Sequence, residues 1–504
     1  MDSNFLTYNA LDAACTFECR EGFWDQLKDG FQPAYDMTVE LFPVLMFMQT
    51  RGIRVDLETM EVVKTDITRA MEVAQEELNK LCGRSLNVNS SKDCATYFYV
   101  ELGIPPYYNG TSVTTDDLAL QRLTRGTAKR PGLRQAKLVQ EIRGLQKLKG
   151  TYLEIEFDKD SRMRCSYNPR GTKFGRLSSS KTIFGTGTNM QNLPQEFKKF
   201  LLADEGYVLW EVDKRQAEWV VVAYLSNDAN MLSVIEAGTD THVHTASLMF
   251  EADPQIVEYE AKLVGNSTDQ DFISEVRGND ELLAKYTGNF PRNMSARQCG
   301  KKSNHGLNYD EGPNQFALIN EIEIVEAKRV VAMYHRIYPG IRGGYYIWVQ
   351  HQLKQGRTLT NCFGRKVRFM DAWGPDLWKA AYSMLPQSTV VDSLNKGMIK
   401  IYNDTWLTRD LNIDVLAQVH DSVLLQVPLS VVQGSEFAEV KARVYDYVSP
   451  ELCYNQRKFK LATDSKMGLN WGGWNETSNP LGMREVKDFN KLPDLLEELG
   501  VQKS

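Results

Sequence analysis

Apolar residues recur at intervals of three and four in two stretches of the chain, residues 33–82 and 133–153. Residues at this spacing lie on one face of a helix, so both stretches are expected to be helical. The segment between them at residues 103–110 is rich in glycine and proline and indicates turns. The pattern therefore predicts a hairpin of helices.

The pattern changes in the middle of the chain. Residues 207–213 (YVLWEVD) alternate as in a strand, and residues 217–225 (AEWVVVAYL) form an apolar run that is typical of a buried helix. Residues 251–370 have mainly helical spacing, and residues 415–427 contain two β-rich runs around a polar turn, which indicates a hairpin. Strands interrupted by a large helical insertion favour an α+β fold with a helical lobe.

Composition places the chain among globular proteins. Of its 504 residues, 42% are hydrophobic and 25% are charged. The longest apolar runs are far shorter than the ~20 residues that span a bilayer, and no basic region is followed by a small-residue cleavage site, so we expect the chain to be neither secreted nor embedded in a membrane. The eight cysteines form no CxxC pair, which argues against a zinc ribbon or a disulfide framework. We expect a cytoplasmic protein that does not interact with membranes.

The charge of the chain is unevenly distributed. The net charge is −6, but residues 121–150 contain nine basic side chains and one acidic one, and residues 161–200 contain eight and one. Residues 161–195 are also rich in glycine, serine and threonine and predict an irregular loop that carries arginines. Such a basic band attracts polyanions such as nucleic acid, although a solvated helix face has the same composition.

Two aspartates are candidates for a metal centre. Asp213 closes the predicted strand at 207–213, and Asp421 is at the tip of the predicted hairpin. Carboxylates at the ends of strands in one sheet share a rim, where they hold divalent ions for phosphoryl transfer. Taken alone the pair is a weak signal, since many aspartates cap turns.

A more specific signal lies between the aspartates. Arg297, Lys301, His305 and Tyr309 recur every four residues, so on a helix they form one stripe about 18 Å long. Two cations followed by two rings match a triphosphate, a sugar and a base laid end to end. Glycine weakens a helix, so we expect Gly300 to be required by the close approach of another group. A basic exposed helix face is the alternative interpretation.

With these residues in view, the chain resembles the polymerase portion of a family A DNA polymerase, the DNA polymerase I type, in a divergent bacteriophage form. The resemblance rests on segments in the family's order, namely GRLSSS (175–180) with NMQNLP (189–194), EVDKRQAEWVVVAYLSND (211–228), RQCGKKSNHGLNY (297–309) and QVHDSVLLQVP (418–428). It implies a right-hand polymerase fold with an antiparallel-sheet palm, helical fingers and a helical thumb.

The resemblance also implies an order of domains. The expected boundaries are 1–40 for the end of a 3′–5′ exonuclease domain, 41–160 for the thumb, 161–250 for the first part of the palm, 251–370 for the fingers, 371–475 for the second part of the palm and 476–504 for a C-terminal extension. The segment between Phe250 and Arg297 is longer than in the bacterial members.

Residue roles follow from the same resemblance. Asp213 and Asp421 are expected to bind two Mg²⁺ ions, with Mn²⁺ as a substitute, and Lys301 to assist catalysis. The residues expected to bind the incoming dNTP are Arg297, Lys301, His242, Gln216, Glu218, His305 and Tyr309. Glu218 is expected to exclude a ribose 2′-hydroxyl. The residues expected to contact primer-template DNA are Arg176, Gln191, Asn192, Gln387, His420, Arg134, Lys147 and Lys149.

Besides the longer segment before Arg297, the chain departs from the family pattern within two of its motifs. In the segment 297–309, which resembles motif B of the family, His305 stands where Phe or Tyr is usual. In the segment 418–428, which resembles motif C, Ser422 stands where Glu is usual, so sugar fit and metal binding are expected to differ. YNALDAACT, with Tyr8 and Asp12, resembles the last exonuclease motif. Because the segments that supply the other carboxylates of that site would lie upstream of Met1, we expect no proofreading by this chain alone, which would be either a fragment or complemented by a separate nuclease polypeptide. A separate exonuclease polypeptide or replisome proteins would then be partners.

Two other functions compete with a DNA polymerase. A single-subunit RNA polymerase shares the two aspartates and a similar Arg-Lys-Tyr helix, but Glu218 and the GRLSSS segment argue against it. A non-catalytic DNA-binding subunit is suggested by His305 and Ser422. Preferential incorporation of rNTPs over dNTPs would favour the RNA polymerase. Binding of primer-template DNA without any primer extension would favour the non-catalytic subunit.

Overall fold

The structure is a computed structural model that describes residues 3–126, 130–286, 288–320 and 322–500. Lys129, one of the nine basic residues in 121–150, lies outside the described residues.

The N-terminal third is mainly helical. It contains α1 (Ser3–Arg51), β1 (Ile53–Val55), α2 (Leu57–Cys82), α3 (Ser91–Ala95), β2 (Tyr108–Asn109), β3 (Ser112–Val113), α4 (Asp117–Arg125) and α5 (Arg134–Lys147). The carboxylate of Asp56 accepts the N–H of Thr59 at the start of α2, and Gly83 ends that helix at a φ of 68°. Helices α2 and α5 pack together, and Leu78 of α2 and Ile142 of α5 are buried in the same hydrophobic core. The predicted pair of helices is confirmed by α2 and α5, whereas β1 at Ile53–Val55 interrupts the stretch 33–82 that was expected to be helical.

The next segment leads into the main sheet. It contains β4 (Arg162–Met163), β5 (Ser166–Asn168), β6 (Ser178–Ser180), α6 (Gln195–Lys198), β7 (Leu201–Leu202), β8 (Tyr207–Lys214), α7 (Ala217–Ser226), α8 (Ala229–Glu236) and α9 (Thr241–Phe250). The predicted loop at 161–195 was only partly right, because β4 pairs with β1 and β5 pairs with β6. Strand β8 is a strand as predicted, but Val208, Leu209 and Trp210 are all buried because it has neighbours on both faces.

Residues 251–370 are mainly helical, as predicted. They contain α10 (Pro254–Val264), α11 (Gln270–Gly278), α12 (Ala296–Gly306), α13 (Pro313–Asn320), α14 (Ile324–Ile337), α15 (Ile347–Gly356), β9 (Thr358–Thr360) and β10 (Lys366–Arg368). Their buried residues, among them Phe316 and Tyr334, form a core separate from the core under the main sheet. This lobe therefore packs as a unit beside the sheet.

The C-terminal part completes the sheet. It contains α16 (Pro375–Asn403), β11 (Asp414–Val419), β12 (Ser422–Pro428), α17 (Leu429–Gln433), α18 (Phe437–Val448), β13 (Leu452–Tyr454), β14 (Arg457–Phe459), β15 (Thr463–Gly468), β16 (Arg484–Glu485) and α19 (Leu492–Glu498). The main sheet is antiparallel with the strand order β11-β12-β8-β15-β16. This confirms the α+β class and the antiparallel sheet, and it makes β8 the central strand.

Helix α1 is continuous through residue 40, where a domain boundary was predicted. Tyr8 and Asp12 lie on its exposed part, and Tyr8 is 62% exposed. The domain boundaries and the missing exonuclease activity stay predictions. Within the described ranges, no helix combines the length and the apolarity needed to cross a bilayer.

Candidate active site

Two aspartates lie side by side at one end of the main sheet. Asp213 is near the end of β8 and is opposite Ser422, the first residue of β12. Asp421 lies in the turn between β11 and β12, and its carbonyl accepts a hydrogen bond from the N–H of Lys214 at 3.3 Å. The hairpin and the central strand therefore bring together two acids that are far apart in the sequence.

The proximity of the two acids changes the protonation of Asp213. Burial, and next the neighbouring charge of Asp421, raise the pKa of the Asp213 carboxyl to about 7. Both effects disfavour a second negative charge in this place. A divalent cation between the carboxylates would offset both the cost of burying the charge of Asp213 and its repulsion by Asp421.

The donor set fits magnesium. Carboxylate oxygens are the ligands that Mg²⁺ takes from proteins, and it commonly uses one or two of them together with water and substrate phosphates. In the described part of the chain, no three histidine, cysteine or acidic side chains are grouped so as to hold a metal ion. Asp213 and Asp421 would therefore supply the side-chain ligands, and phosphate and water oxygens the rest.

The raised pKa of Asp213 predicts a pH-dependent stability in the absence of metal. An aspartate in the unfolded chain titrates near pH ~3.9, whereas the pKa in the folded protein is about 7. Between these values the folded state holds a proton that the unfolded state has lost, so the free energy of unfolding decreases as the pH rises. We expect Asp213→Asn to stabilise the protein in EDTA more at pH 8 than at pH 5, as measured by urea denaturation. Equal stabilisation at both pH values would contradict the assignment.

The residue that replaces the motif C glutamate contacts another acid. Ser422 Oγ donates to Glu211 Oε1 at 3.2 Å, and Trp471 Nε1 donates to the same oxygen at 3.3 Å. Glu211 precedes Asp213 by two residues and so lies on the same face of β8. An acid therefore does lie beside position 422, but it comes from the neighbouring strand. Glu211 was not predicted from the sequence. Its spacing of two residues from Asp213, which puts both side chains on one face of a strand, could have identified it.

This contact predicts that the family glutamate cannot simply be restored. A carboxylate at position 422 would face Glu211 in a partly buried place, so we expect Ser422→Glu to lower the free energy of unfolding by about 1–3 kcal/mol. Adding Glu211→Ser should recover most of that loss. Chemical denaturation of the four proteins of this double-mutant cycle measures the coupling. Additive effects would mean that the two side chains do not interact.

The predicted stripe lies on α12 and the turn after it. Arg297, Lys301 and His305 are on one side of α12, where Lys301 and His305 are exposed and Arg297 is half-buried. The helix ends at Gly306, so Tyr309 lies in a separate short turn. The spacing prediction was therefore right for three residues, and the fourth follows the end of the helix.

The close approach expected at Gly300 comes from the protein itself. A Cβ at Gly300 would lie 2.3 Å from the carbonyl oxygen of His242, so glycine lets α12 pack against α9. The His242 ring is buried beneath this contact, and its Nδ1 lies 3.1 Å from the amide nitrogen of Asn304. Burial lowers the pKa of His242 to about 4. The ring is neutral near pH 7, so any contact with a phosphate would be a hydrogen bond without a positive charge, and its expected role stays a prediction.

Two residues predicted to bind nucleotide are engaged with the start of α9. Arg297 Nη2 donates to Asp240 Oδ2 at 2.7 Å, and Asp240 also caps α9 by accepting the N–H of His242. Gln216 adopts a left-handed φ of 50°, and its side-chain carbonyl accepts the N–H of Thr241 at 3.3 Å. The contact with Asp240 engages Nε and Nη2 of the Arg297 guanidinium.

Glu218 is held by two other predicted site residues. The Tyr309 hydroxyl donates to one carboxylate oxygen of Glu218, and Arg176 Nη2 donates to the other. Burial raises the pKa of Tyr309 well above its ordinary value, so its hydroxyl remains a donor. These contacts fix Glu218 near His305. Burial lowers the pKa of the His305 ring, and the negative charge of Glu218 acts in the opposite direction.

An open cavity of about 640 Å³ lies between α12 and α16. Its lining includes Lys301, His305 and Tyr309 from the stripe, and Gln387 from α16. The cavity brings Gln387 to the same place as the predicted nucleotide residues. It is large enough to accept a nucleobase and sugar beside α12.

Three of the residues predicted to contact DNA, His420, Gln191 and Asn192, lie at the Asp421 turn or beside it. His420 is exposed at a left-handed φ of 54°. The side-chain amide of Gln191 donates to the carbonyl of Gln418 at 2.8 Å and accepts the N–H of His420 at 3.1 Å. Gln191 therefore supports the turn. Asn192 is exposed beside it.

Many residues of the basic band are engaged with the protein. Arg134 pairs with Glu77 and Glu141, at 3.0 and 3.3 Å, and Arg143 donates to the carbonyls of Val88 and Thr115. Further pairs in the second segment are Arg162–Asp204, Arg164–Asp158 and Lys173–Asp371. Lys147 and Lys149 lie at the end of α5 and just after it, and Lys147 is exposed. The charge count therefore overstates the surface that is open to a polyanion.

Comparisons with known proteins cover most of the chain. The sequence model of DNA polymerase family A matches residues 57–263 and 284–473. The thermostable DNA polymerase I of Thermus filiformis is 27% identical over 409 residues, which cover 76% of this chain and 42% of that protein. DNA polymerase I of Helicobacter pylori is 25% identical over 435 residues, which cover 83% and 42%. The chain thus matches less than half the length of these relatives.

A solved structure has the same fold. The POL domain of Pol1 from M. smegmatis, in complex with DNA primer-template and dNTP, matches with a TM-score of 0.69. The match covers 86% of this chain and 70% of that chain at 23% identity. At this identity the likeness establishes the architecture.

Proposed function

Since this chain belongs to DNA polymerase family A, we propose that it adds dNTPs to the 3′-hydroxyl of a primer under the direction of a template. The observation that carries the proposal is the pairing of Asp213 and Asp421 at the end of the sheet, near the stripe on α12. His305 on that helix is close enough to sense the charge of Asp421. This supports a single site formed by the carboxylates and the cationic helix.

Family A polymerases generally use divalent metal ions, and we propose that Asp213 and Asp421 hold two Mg²⁺ ions, for which Mn²⁺ substitutes. When bound, these ions make the primer 3′-hydroxyl more acidic and neutralise charge at the transferring phosphorus. The protein's own part is to hold both carboxylates together at the end of the sheet. The short turn at 420–421 does this by fixing Asp421 to the backbone of β8.

The stripe residues would position the nucleotide. Lys301 is exposed on the side of α12 that lines the cavity, so its ammonium can reach the phosphates. Arg297 would exchange its contact with Asp240 for the triphosphate. His305 and Tyr309 would contact the sugar and the base. Charge on the phosphates is then balanced by the protein during transfer.

DNA would be bound mainly through its backbone. Lys147 and Lys149 would contact duplex phosphates, which gives binding without sequence preference. Arg176, Gln387 and His420 would meet the minor-groove edge of the primer terminus, where correct pairs present acceptors. Asn192 would lie at the same edge, and Gln191 would act by supporting the turn. Replisome proteins or a separate exonuclease polypeptide remain proposed partners.

Sugar selectivity tests the DNA polymerase against an RNA polymerase. Glu218 is fixed by Tyr309 and Arg176, so it leaves little room for a 2′-hydroxyl. We expect a preference for dNTPs over rNTPs, and we expect Glu218→Ala to raise rNTP incorporation by about 10²-fold or more relative to dNTP. Primer extension with matched dNTP and rNTP measures both. Preferential use of rNTPs by the unaltered protein would favour the RNA polymerase, and binding without any extension would favour the non-catalytic subunit.

A further inference from the structure

A buried ion pair lies between α10 and α11, in the long segment before α12. Arg277 is 2% exposed and Glu260 is 0% exposed. Arg277 Nε donates to Glu260 Oε1 at 3.0 Å, and Nη2 donates to the same oxygen. Arg277 lies between the two parts of the chain that match the family model, residues 57–263 and 284–473, whereas Glu260 lies within the first. The pair therefore joins a helix shared with the family to a segment outside the match.

The ion pair also holds the beginning of α12. The second carboxylate oxygen of Glu260 accepts the N–H of Ala296, the first residue of α12, at 3.0 Å. Arg277 Nη1 donates to the carbonyl of Pro291 at 2.7 Å, and Nη2 donates to the carbonyl of Met294 at 2.9 Å. The guanidinium thus binds the loop before α12 at two points, while its partner binds the helix itself.

The arrangement is better suited to orientation than to stability. Removing two charges from water costs as much as their attraction returns, so an apolar pair of similar size would stabilise the fold equally well. A planar guanidinium, in contrast, fixes several acceptors at defined angles. Here it fixes one carboxylate and two carbonyls, and the carboxylate fixes the first N–H of α12. The residue after Ala296 is Arg297.

We propose that Arg277 is a positioning residue for nucleotide binding, which acts through Glu260 on the first turn of α12 and so on Arg297. The proposal rests on the proposed function, because it requires Arg297 to contact the nucleotide triphosphate. Arg277 itself does not touch the substrate. Its effect is to hold the N-terminal end of α12 where the Arg297 side chain reaches the phosphates.

The first test replaces Arg277 and separates nucleotide binding from chemistry. We expect Arg277→Met to raise the KM for dNTP by about tenfold, with kcat and the Kd for primer-template changed by less than about twofold. Arg277→Lys keeps the charge but cannot hold both carbonyls and Glu260, so we expect an intermediate KM. Steady-state extension and a DNA-binding titration measure these values.

A double variant distinguishes positioning from stability. Arg277→Met with Glu260→Leu removes both charges, so the melting temperature should return towards that of the unaltered protein. The two carbonyls still lack Arg277, and the Ala296 N–H has now lost Glu260 as well, so the KM for dNTP should stay raised. If KM instead returns with the melting temperature, the role is structural and the proposal is wrong. Arg443→Met, which breaks an ion pair with Asp404 far from α12, is the control and should leave KM unchanged.

Hydrogen exchange gives a measurement that does not depend on activity. We expect the amides at the start of α12, Ala296 first, to exchange faster in Arg277→Met and in the double variant, and to be unchanged in Arg443→Met. Unchanged exchange at Ala296 in Arg277→Met would overturn the proposal whether or not the protein extends primers. If the unaltered protein fails to extend a primer, the proposed function fails by itself, and faster exchange still supports the positioning of α12.

Discussion

Asp421→Asn is expected to reduce primer extension by about a thousandfold or more, equivalent to about 4 kcal/mol of transition-state stabilisation. The substitution removes the charge of one proposed metal ligand and keeps its shape. Asp421 is not placed to contact DNA phosphates, so primer-template binding should stay within about twofold. Single-turnover extension and a DNA-binding titration, both in Mg²⁺, measure the two effects.

Asp414→Asn is the matched control. Asp414 lies on the same hairpin, at the other end of β11, where it pairs with Arg51. The control should lose some stability and keep extension near that of the unaltered protein. Equal loss of extension in the two variants would show that the hairpin had been disturbed as a whole. Retained extension in Asp421→Asn would mean that the carboxylate pair is not the metal centre.

Lys301→Ala is expected to lower kcat/KM for dNTP by about 10²-fold, because an exposed ammonium on the cavity side of α12 is lost from the phosphates. Single-nucleotide incorporation over a range of dNTP concentrations measures this value. The loss should be largest at low dNTP concentration, and primer-template binding should change little.

Lys302→Ala provides the comparison within the same helix. Lys302 is the next residue and is half-buried towards Arg125 of α4, whose charge, after burial, lowers the pKa of Lys302. Lys302 also lines the cavity, but it lies about 100° around α12 from Lys301, so we expect its replacement to affect kcat/KM by less than about threefold. If Lys302→Ala has the larger effect, the side of α12 that binds nucleotide has been assigned wrongly.

The elements of the fold were largely predictable from the spacing of apolar residues. The strand before Asp213 and the hairpin around Asp421 both followed from short-range pattern. Their pairing did not, because a strand's sequence does not specify its neighbour, and only the resemblance to a family connected the two aspartates. The register, which sets Ser422 opposite Asp213, could not be predicted from the sequence and was seen only in the structure.

The site residues divide in a similar way. The stripe on α12 followed from a period of four, since a helix repeats locally. The partners of these residues come from other elements, and no local pattern indicates them. Asp240 holding Arg297 and Glu211 facing Ser422 are examples. Lys214, the residue after Asp213, likewise has a partner from a distant element. Its ammonium donates to the carbonyl of Val448, and burial lowers the pKa of Lys214 to about 7.

The basic band shows why charge counts mislead. Counting by segment assigned a strong positive charge to residues 121–200, yet Arg134, Arg162 and Arg164 all pair with acids. Some of these acids lie elsewhere in the chain, so the count within a segment could not include them. Surface charge depends on tertiary pairing, which the linear sequence does not display.

Anomalous scattering from Mn²⁺ tests the central claim most directly. Crystals of the protein with a dideoxy-terminated primer-template and the next dNTP, grown in Mn²⁺, should show two peaks at the end of the main sheet. Each should lie within about 2.5 Å of a carboxylate oxygen of Asp213 or Asp421. Peaks elsewhere, or a nucleotide bound with no metal between these two aspartates, would contradict the proposed centre.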